Sequence, residues 1–112
     1  MADFYVMQNS AYPTIQETLT SQGKPLNLTP AVRVEFHAQR ADGLAFSGTC
    51  VRDATRVGRV AYQLLPSQTT QPGVYRVWFD VVWQDDSQLE PPGPIYSQRI
   101  PAHRIMTLEI RP

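Results

Sequence analysis

The sequence predicts an all-β fold in which two antiparallel sheets of short strands, about seven in total, pack against each other. Apolar and polar residues alternate over short stretches, as they do in strands with one buried face. Turn signals recur roughly every ten residues, which is typical of a β-sandwich. Ten prolines and six glycines among 112 residues favour turns over helices. A chain of this length fits one domain, and a hydrophobic fraction of 42% supports a core.

The first half of the chain contains three predicted strands. Residues 14–23 alternate in a way that favours a strand over a short helix. Residues 31–38, "AVRVEFHA", show the clearest alternation and lead into "RADG", residues 40–43. This second segment is predicted to be a hairpin turn, because Asp-Gly readily adopts the positive φ that such turns require. Residues 47–54 form the third predicted strand and contain Cys50.

The second half adds three strands and one long connection. Residues 58–65, "GRVAYQLL", and residues 104–110 alternate as strands do. The longest strand lies in residues 71–84, "QPGVYRVWFDVVWQ", whose odd positions form an apolar stripe. Residues 85–103 contain four prolines, and we expect an irregular loop there. Loops above ~12–15 residues are uncommon and often functional.

The "QPGVY" segment before the longest strand resembles the corner turn of immunoglobulin-like domains. Together with the spacing of the strands, it predicts an immunoglobulin-like antiparallel β-sandwich for residues 13–112, with a long proline-rich loop before the last strand. Residues 1–12 are predicted to form an extended N-terminal arm. A small β-barrel is the alternative fold.

The composition argues against several classes of protein. Ten basic and ten acidic residues balance, so no basic face for nucleic acid is expected. No apolar run approaches the ~18 residues that cross a membrane. The first ten residues carry neither a basic segment nor an apolar run, so we expect no secretory signal. The single cysteine, Cys50, cannot form a disulfide within the chain, which fits synthesis in a reducing cytoplasm.

No residue pattern predicts catalysis, a metal site or a cofactor site. His37 and His103 have no cysteine or histidine at ligand spacing. Cys50 lies within a predicted strand and is read as a core residue rather than a nucleophile. The adjacent acids Asp85 and Asp86 are typical of a solvated turn. Since nucleophile-elbow and glycine-rich phosphate motifs are also missing from the sequence, we predict a protein that is not an enzyme.

Trp78 raises the main functional question, because it falls on the face of the longest strand that should meet water. A tryptophan on such a face is a favoured anchor in protein interfaces. The alternative is that the segment 85–103 covers it. The N-terminal arm is also apolar, and it could pair along the sheet edge of a neighbouring molecule. The predicted interface residues are Phe4, Tyr5, Val6, Trp78, Val82, Pro92, Ile95 and Tyr96.

Four segments of the sequence, taken in order, carry a resemblance to a known protein family. They are "GKPLNLT" at residues 23–29, "VEFHAQRADG" at residues 34–43, "GRVAY" at residues 58–62 and "PGVYRVWFDV" at residues 72–81. In this order the sequence resembles the N-terminal immunoglobulin-like domain of the phage baseplate upper protein family (BppU type). The resemblance covers most of the chain, from about residue 13 to residue 110.

This resemblance implies a structural protein of a tailed bacteriophage virion, made in the cytoplasm of the host bacterium. It would act as a small adaptor in the tail or baseplate, in several symmetric copies, through contacts with other virion proteins. The family has no catalytic residues to carry over to this chain. From the composition and motifs above, we also expect no cofactor and no nucleic-acid or membrane partner. One alternative is a decoration protein of the capsid. A second is a carbohydrate-binding β-sandwich that stacks Trp78, Trp83 or Tyr96 on a sugar, and a third is a bacterial accessory module.

Overall fold

The computed structural model describes residues 3–12, 14–29, 31–53, 55–84, 95–101 and 105–112, with backbone alone for residues 84 and 95–97. The prediction of an all-β fold is confirmed: the described residues form eleven strands and one 3-10 turn at Pro66–Gln68. The strands are β1 (Phe4–Met7), β2 (Ile15–Thr18), β3 (Thr20–Ser21), β4 (Lys24–Pro25), β5 (Arg33–Arg40), β6 (Ala45–Thr49), β7 (Val51–Arg52), β8 (Arg59–Tyr62), β9 (Gly73–Gln84), β10 (Ile95–Ile100) and β11 (Met106–Arg111).

The strands form two main sheets and a small hairpin. The six-stranded sheet has the order β1-β11-β9-β5-β6, and β10 also pairs with β9. The second sheet has the order β2-β8-β7, and β3 pairs with β4. All pairs are antiparallel except β1 with β11, which is parallel. The predicted antiparallel architecture is therefore confirmed.

The strand predicted at residues 47–54 is divided between the two sheets. Its first part belongs to β6 in the six-stranded sheet, and its second part is β7 in the three-stranded sheet. Cys50 lies between them, buried, and its backbone N–H donates a 2.8 Å hydrogen bond to the Val34 carbonyl. The chain thus passes from one layer to the other at Cys50. This division, the two-residue strands β3 and β4, and the strands β1 and β10 explain why there are more strands than the seven or so expected.

The core lies between the two sheets and follows the predicted alternation. The inward side chains of β9 are Tyr75, Val77, Phe79 and Val81, each at most 1% exposed. Phe36 of β5 stacks on Tyr62 of β8, with ring centroids 4.7 Å apart, and this contact joins the two layers. Phe36 also meets Phe79 edge to face at 5.5 Å. Burial of such large side chains contributes roughly 1.5–3 kcal/mol each.

The corner predicted at "QPGVY" is held by Tyr75. Its hydroxyl donates a 2.7 Å hydrogen bond to the Gln71 carbonyl, and burial raises the pKa of this hydroxyl. Arg40 supports the same turn, since its Nη1 donates to the Pro72 carbonyl at 2.9 Å. Gly73 is required here, because its φ is +143° and a Cβ would lie 2.9 Å from Cδ of Arg40. The turn that starts the longest strand is therefore fixed on both sides.

The predicted N-terminal arm contains a strand of the domain itself. β1 pairs in parallel with β11, with Phe4 opposite Leu108 and Val6 opposite Ile110. β1 therefore belongs to the sheet of its own chain, and pairing of its outer edge with a neighbouring molecule stays a prediction. The physical reason for the pairing within the chain is the alternation in "FYVM": Phe4 and Val6 both reach the core, and Val6 is 3% exposed.

The prediction of an irregular loop over residues 85–103 is wrong for β10. This strand pairs antiparallel with the end of β9, with Ile95 opposite Gln84 and Ile100 opposite Phe79. The prolines flank "IYSQRI" without interrupting it, so they limit the strand instead of preventing it. Residues 85–94 and 102–104 lie outside the described residues.

We expect Gly48→Ala to destabilise the fold. A Cβ at Gly48 would lie 2.5 Å from Oη of Tyr62 and 2.6 Å from its Cε1. Tyr62 has little freedom to move, because it stacks on Phe36 and its hydroxyl donates to Oε1 of Gln68 at 2.9 Å. Overpacking of this kind costs about 1–3 kcal/mol. Urea unfolding measures the loss, with the exposed neighbour Ser47→Ala as control. Equal stability of the two variants would show that the contact relaxes freely.

We expect Tyr75→Phe to lower the free energy of unfolding by about 1 kcal/mol, because it removes the hydrogen bond to Gln71 and keeps the ring. Tyr12→Phe is the matched control, since Tyr12 is 73% exposed. Chemical denaturation of both variants and the parent chain gives the comparison. A Tyr75→Phe variant as stable as the control would contradict a role of the hydroxyl in the corner.

Candidate interaction surface

The six-stranded sheet has a second face, which points away from the core. We call it the outer face. Strand β9 provides its centre, because every second side chain of β9 alternates with a core residue. The register places the following described strand residues on the outer face: Tyr5, Met7, Arg33, Glu35, His37, Gln39, Ala45, Ser47, Thr49, Val74, Arg76, Trp78, Asp80, Val82, Arg99, Thr107, Glu109 and Arg111.

Trp78 lies at the centre of the outer face between two side chains of neighbouring strands. His37 is directly opposite on β5, and the two rings are stacked with centroids 5.5 Å apart and planes within 8°. Arg99 reaches over from β10, on the other side of β9, and its Cζ lies 4.5 Å from the centre of the indole ring. We call these three residues the Trp78 stack. Cation–π contacts at exposed sites contribute about 0.5–1 kcal/mol.

Two carboxylates lie beside the nitrogen-bearing side chains of this region. Oδ2 of Asp80 is 3.2 Å from Nε2 of His37, and Oδ1 of Asp80 is 4.0 Å from Nε of Arg99. Glu35 lies 3.8 Å from Nε2 of His37 and 3.1 Å from Nε of Arg33. Each contact is at the surface and contributes about 0–1 kcal/mol. Their main effect is therefore to orient the side chains around Trp78.

Tyr5 is a second aromatic residue of the outer face and lies on β1, the strand at one end of the six-stranded sheet. Cζ of Arg111 lies 4.2 Å from the ring centre of Tyr5, and Nε of Arg111 is 3.0 Å from Glu109. The neighbouring Met7 and Val74 are each 55% exposed. The outer face thus combines exposed apolar groups with side chains fixed by their neighbours, a combination that is typical of protein interfaces.

The Trp78 stack also contains two unsatisfied polar atoms. Among the described residues, the buried side-chain nitrogen and oxygen atoms without a hydrogen bond are Nε1 of Trp78 and Nε2 of His37. Nε2 of His37 is close to Asp80, but the two atoms are not aligned as a hydrogen bond. Such groups are rare in folded proteins, and each one calls for an explanation. Their occurrence at one stack marks this part of the outer face as unusual.

The predicted interface residues fall on both sides of the six-stranded sheet. Tyr5 and Trp78 lie on the outer face, and Val82 shares that face but is only 4% exposed. Phe4 and Val6 lie on the core side of β1, so they do not fit the role of interface anchors.

Three further predicted interface residues remain without described side chains. Ile95 and Tyr96 are in β10, and their backbones lie opposite Gln84 and Trp83. Pro92 lies outside the described residues.

Sequence reasoning missed the partners of the aromatic residues. The stacking of His37 on Trp78 depends on the register between β5 and β9, which local alternation does not give. Arg99 falls within the residues predicted to form a loop, and no local pattern places Arg111 against Tyr5. The only local signal was the alternation in "IYSQRI", which could have predicted β10 and thereby placed Arg99 beside β9.

A cleft of about 540 Å³ lies between the β2–β3 segment and β10. Among its described lining residues, the ionisable ones are Glu17 and Arg99, with hydroxyl and amide groups around them. One oxygen of the Glu17 carboxylate accepts a 3.1 Å hydrogen bond from the Thr18 N–H. These described residues do not bring together an acid and a base suited to proton transfer.

The described residues contain no group of three His, Cys, Asp or Glu side chains placed to hold a metal ion. Within the same residues, no helix is long and apolar enough to pass through a membrane. Cys50 is buried, and burial raises the pKa of its thiol to about 12. That direction is opposite to what a nucleophilic cysteine needs.

A scan against models of known protein families and a search of curated proteins found no match to this chain.

We expect Cys50 to be inert toward thiol reagents in the folded protein. With a thiol pKa of about 12, the thiolate at pH 8 amounts to a fraction on the order of 10⁻⁴. Ellman's reagent should therefore react slowly with the native chain and completely after unfolding in urea. Rapid labelling of the native chain would show that Cys50 is more accessible and more acidic than the structure indicates.

Proposed function

We propose that this chain is a structural protein of a tailed bacteriophage virion, a small adaptor in the tail or baseplate that acts through protein–protein contacts. The observation that carries the proposal is the Trp78 stack, a large aromatic side chain held rigidly on a face that the core does not use. The order of segments that resembles the baseplate upper protein family supplies the location. We propose no catalytic role.

We also propose that the fold is an immunoglobulin-like sandwich. One sheet contains β9, β5 and β6 with β11 and β1 on the other side, and β2-β8-β7 form the facing sheet. The Tyr75 hydroxyl bonded to the Gln71 carbonyl supports this, because the same corner is a hallmark of such sandwiches. The described strands of the two main sheets do not pair with each other, which weighs against the alternative of a closed barrel.

The outer face suits docking because its anchors are already ordered. A flexible side chain loses about 0.5–1.5 kcal/mol of conformational freedom when an interface immobilises it. His37 and Arg99 hold Trp78 in place in the free chain, so Trp78 would lose less conformational freedom on binding a partner. In a virion, such contacts are repeated by symmetry, and weak single contacts then add up to stable attachment.

Capsid decoration is the closest alternative, since the same face could contact a head protein. Carbohydrate binding is less well supported. His37 and Arg99 lie against the Trp78 ring and cover part of the area on which a sugar would stack. Trp83 packs against the core, and its indole N–H donates to Gln98 at 3.3 Å. Both observations weigh against this alternative.

Incorporation into particles tests the proposal. We expect Trp78→Ala to reduce the amount of the chain in purified particles at least about tenfold, because an aromatic anchor often contributes 2 kcal/mol or more to an interface. The control is Val51→Ala, a 72% exposed residue on the opposite sheet. Circular dichroism and thermal melting establish that both variants fold.

Quantitative mass spectrometry of the same particles measures copy number and separates the two locations. A few copies per particle support the tail, and hundreds support the head. Normal incorporation of a folded Trp78→Ala variant, or absence of the parent chain from particles, would refute the proposal.

A further inference from the structure

A shallow depression of about 270 Å³ lies on the outer face beside Trp78. It exists because Ala45 and Ser47 of β6, opposite Gln39 and His37, have small side chains. Small-molecule sites usually measure about 300–1,000 Å³ and enclose their ligand. A smaller and open depression walled by an indole ring is better matched to one side chain of a protein partner.

Among the described arginines of the outer face, Arg76 lacks an ion-pair partner. Three of its arginines pair with carboxylates of the same face: Arg33 with Glu35, Arg99 with Asp80 and Arg111 with Glu109. Arg76 is exposed and makes no ion pair with any described residue. It lies opposite Gln39 and two positions before Trp78, which places it at the edge of the depression. The surplus charge beside the depression is therefore positive.

We propose that the depression receives an apolar side chain of a partner protein and that Arg76 pairs with a carboxylate next to that side chain. The inference rests on the proposed function, since it assigns a partner chemistry to the docking face. A partner segment with an apolar residue beside Asp or Glu would meet Trp78, the depression and Arg76 together. Arginine suits this role because its planar guanidinium can bind a carboxylate through two parallel hydrogen bonds.

Two other ligand classes fit the same features less well. Nucleic acid requires several cations that follow a phosphate backbone, and among its described side chains the outer face offers one unpaired arginine. A glycan would need a broad exposed aromatic face, and His37 and Arg99 already cover part of the Trp78 ring. Charge complementarity therefore selects an acidic protein segment.

The test is a nuclear magnetic resonance titration of the ¹⁵N-labelled full chain with two blocked peptides, acetyl-Gly-Leu-Glu-Gly-amide and its Gln counterpart. We expect the Glu peptide at millimolar concentration to shift the Trp78 indole N–H and the amides of Ala45 and Ser47. The Gln peptide should bind about two- to fivefold more weakly, as expected for a surface ion pair.

Arg76→Gln should abolish the preference for the Glu peptide. The matched variant Arg33→Gln should keep it, because Arg33 lies on the same face and pairs with Glu35 away from the depression.

Three results would overturn the inference: no shift around Trp78 with either peptide, equal binding of the two peptides, or a preference that survives Arg76→Gln. The particle assay distinguishes this failure from failure of the proposed function. If Trp78→Ala blocks incorporation while the peptides fail to discriminate, the face docks a partner of different chemistry. If Trp78→Ala is incorporated normally, the docking function itself fails.

Discussion

The pairing of β9 with its neighbours is the constraint on which the rest of the structure depends. β9 has twelve residues and pairs with β5 on one side and with β11 and β10 on the other. Its side chains alternate, so the same strand supplies the centre of the core and the centre of the outer face. A slip of one residue would exchange Phe79 with Trp78 or Asp80 and place a charged or polar group in the core. The corner formed by Tyr75 and Gln71 fixes where the strand starts and thereby helps to set this register.

The edges of the two sheets differ in how far the chain itself covers them. An open strand edge offers free N–H and carbonyl groups to any other strand, and proteins commonly block it. On β2, the Glu17 side chain accepts the hydrogen bond of the Thr18 N–H. On β11, the parallel strand β1 covers the edge, and Thr107 N–H donates to the Asp3 carboxylate at 2.9 Å. β1 is then itself the end strand of the six-stranded sheet. The contacts proposed for the outer face use side chains and do not depend on these edges.

The sequence was sufficient for the elements that alternate clearly and insufficient for those defined by distant partners. β5, β8, β9 and β11 could be predicted because apolar residues recur with period two and turn residues limit them. β1 was missed as part of the domain, since its partner β11 lies at the other end of the chain. β10 was missed because the prolines around it suggested a loop.

The candidate site shows the same contrast between residues placed by local alternation and residues placed by distant partners. Trp78 was placed on the outward side of its strand by alternation alone. That His37 and Arg99 lie against it depends on strand register, which the local sequence does not encode.

The proposed docking role would require the outer face to be compatible both with water and with a partner, and its side chains combine features of both kinds. Three ion pairs neutralise most of its charge while the charged groups stay hydrated, so the face carries no large field that would attract unrelated partners. His37 and Arg99 lie against the Trp78 ring and reduce the apolar area that meets water. A partner then gains little from burying matched pairs, because desolvating them costs about what their attraction returns. In the proposed docking role, discrimination between partners would depend on the unfilled depression beside Trp78 and on the unpaired charge of Arg76.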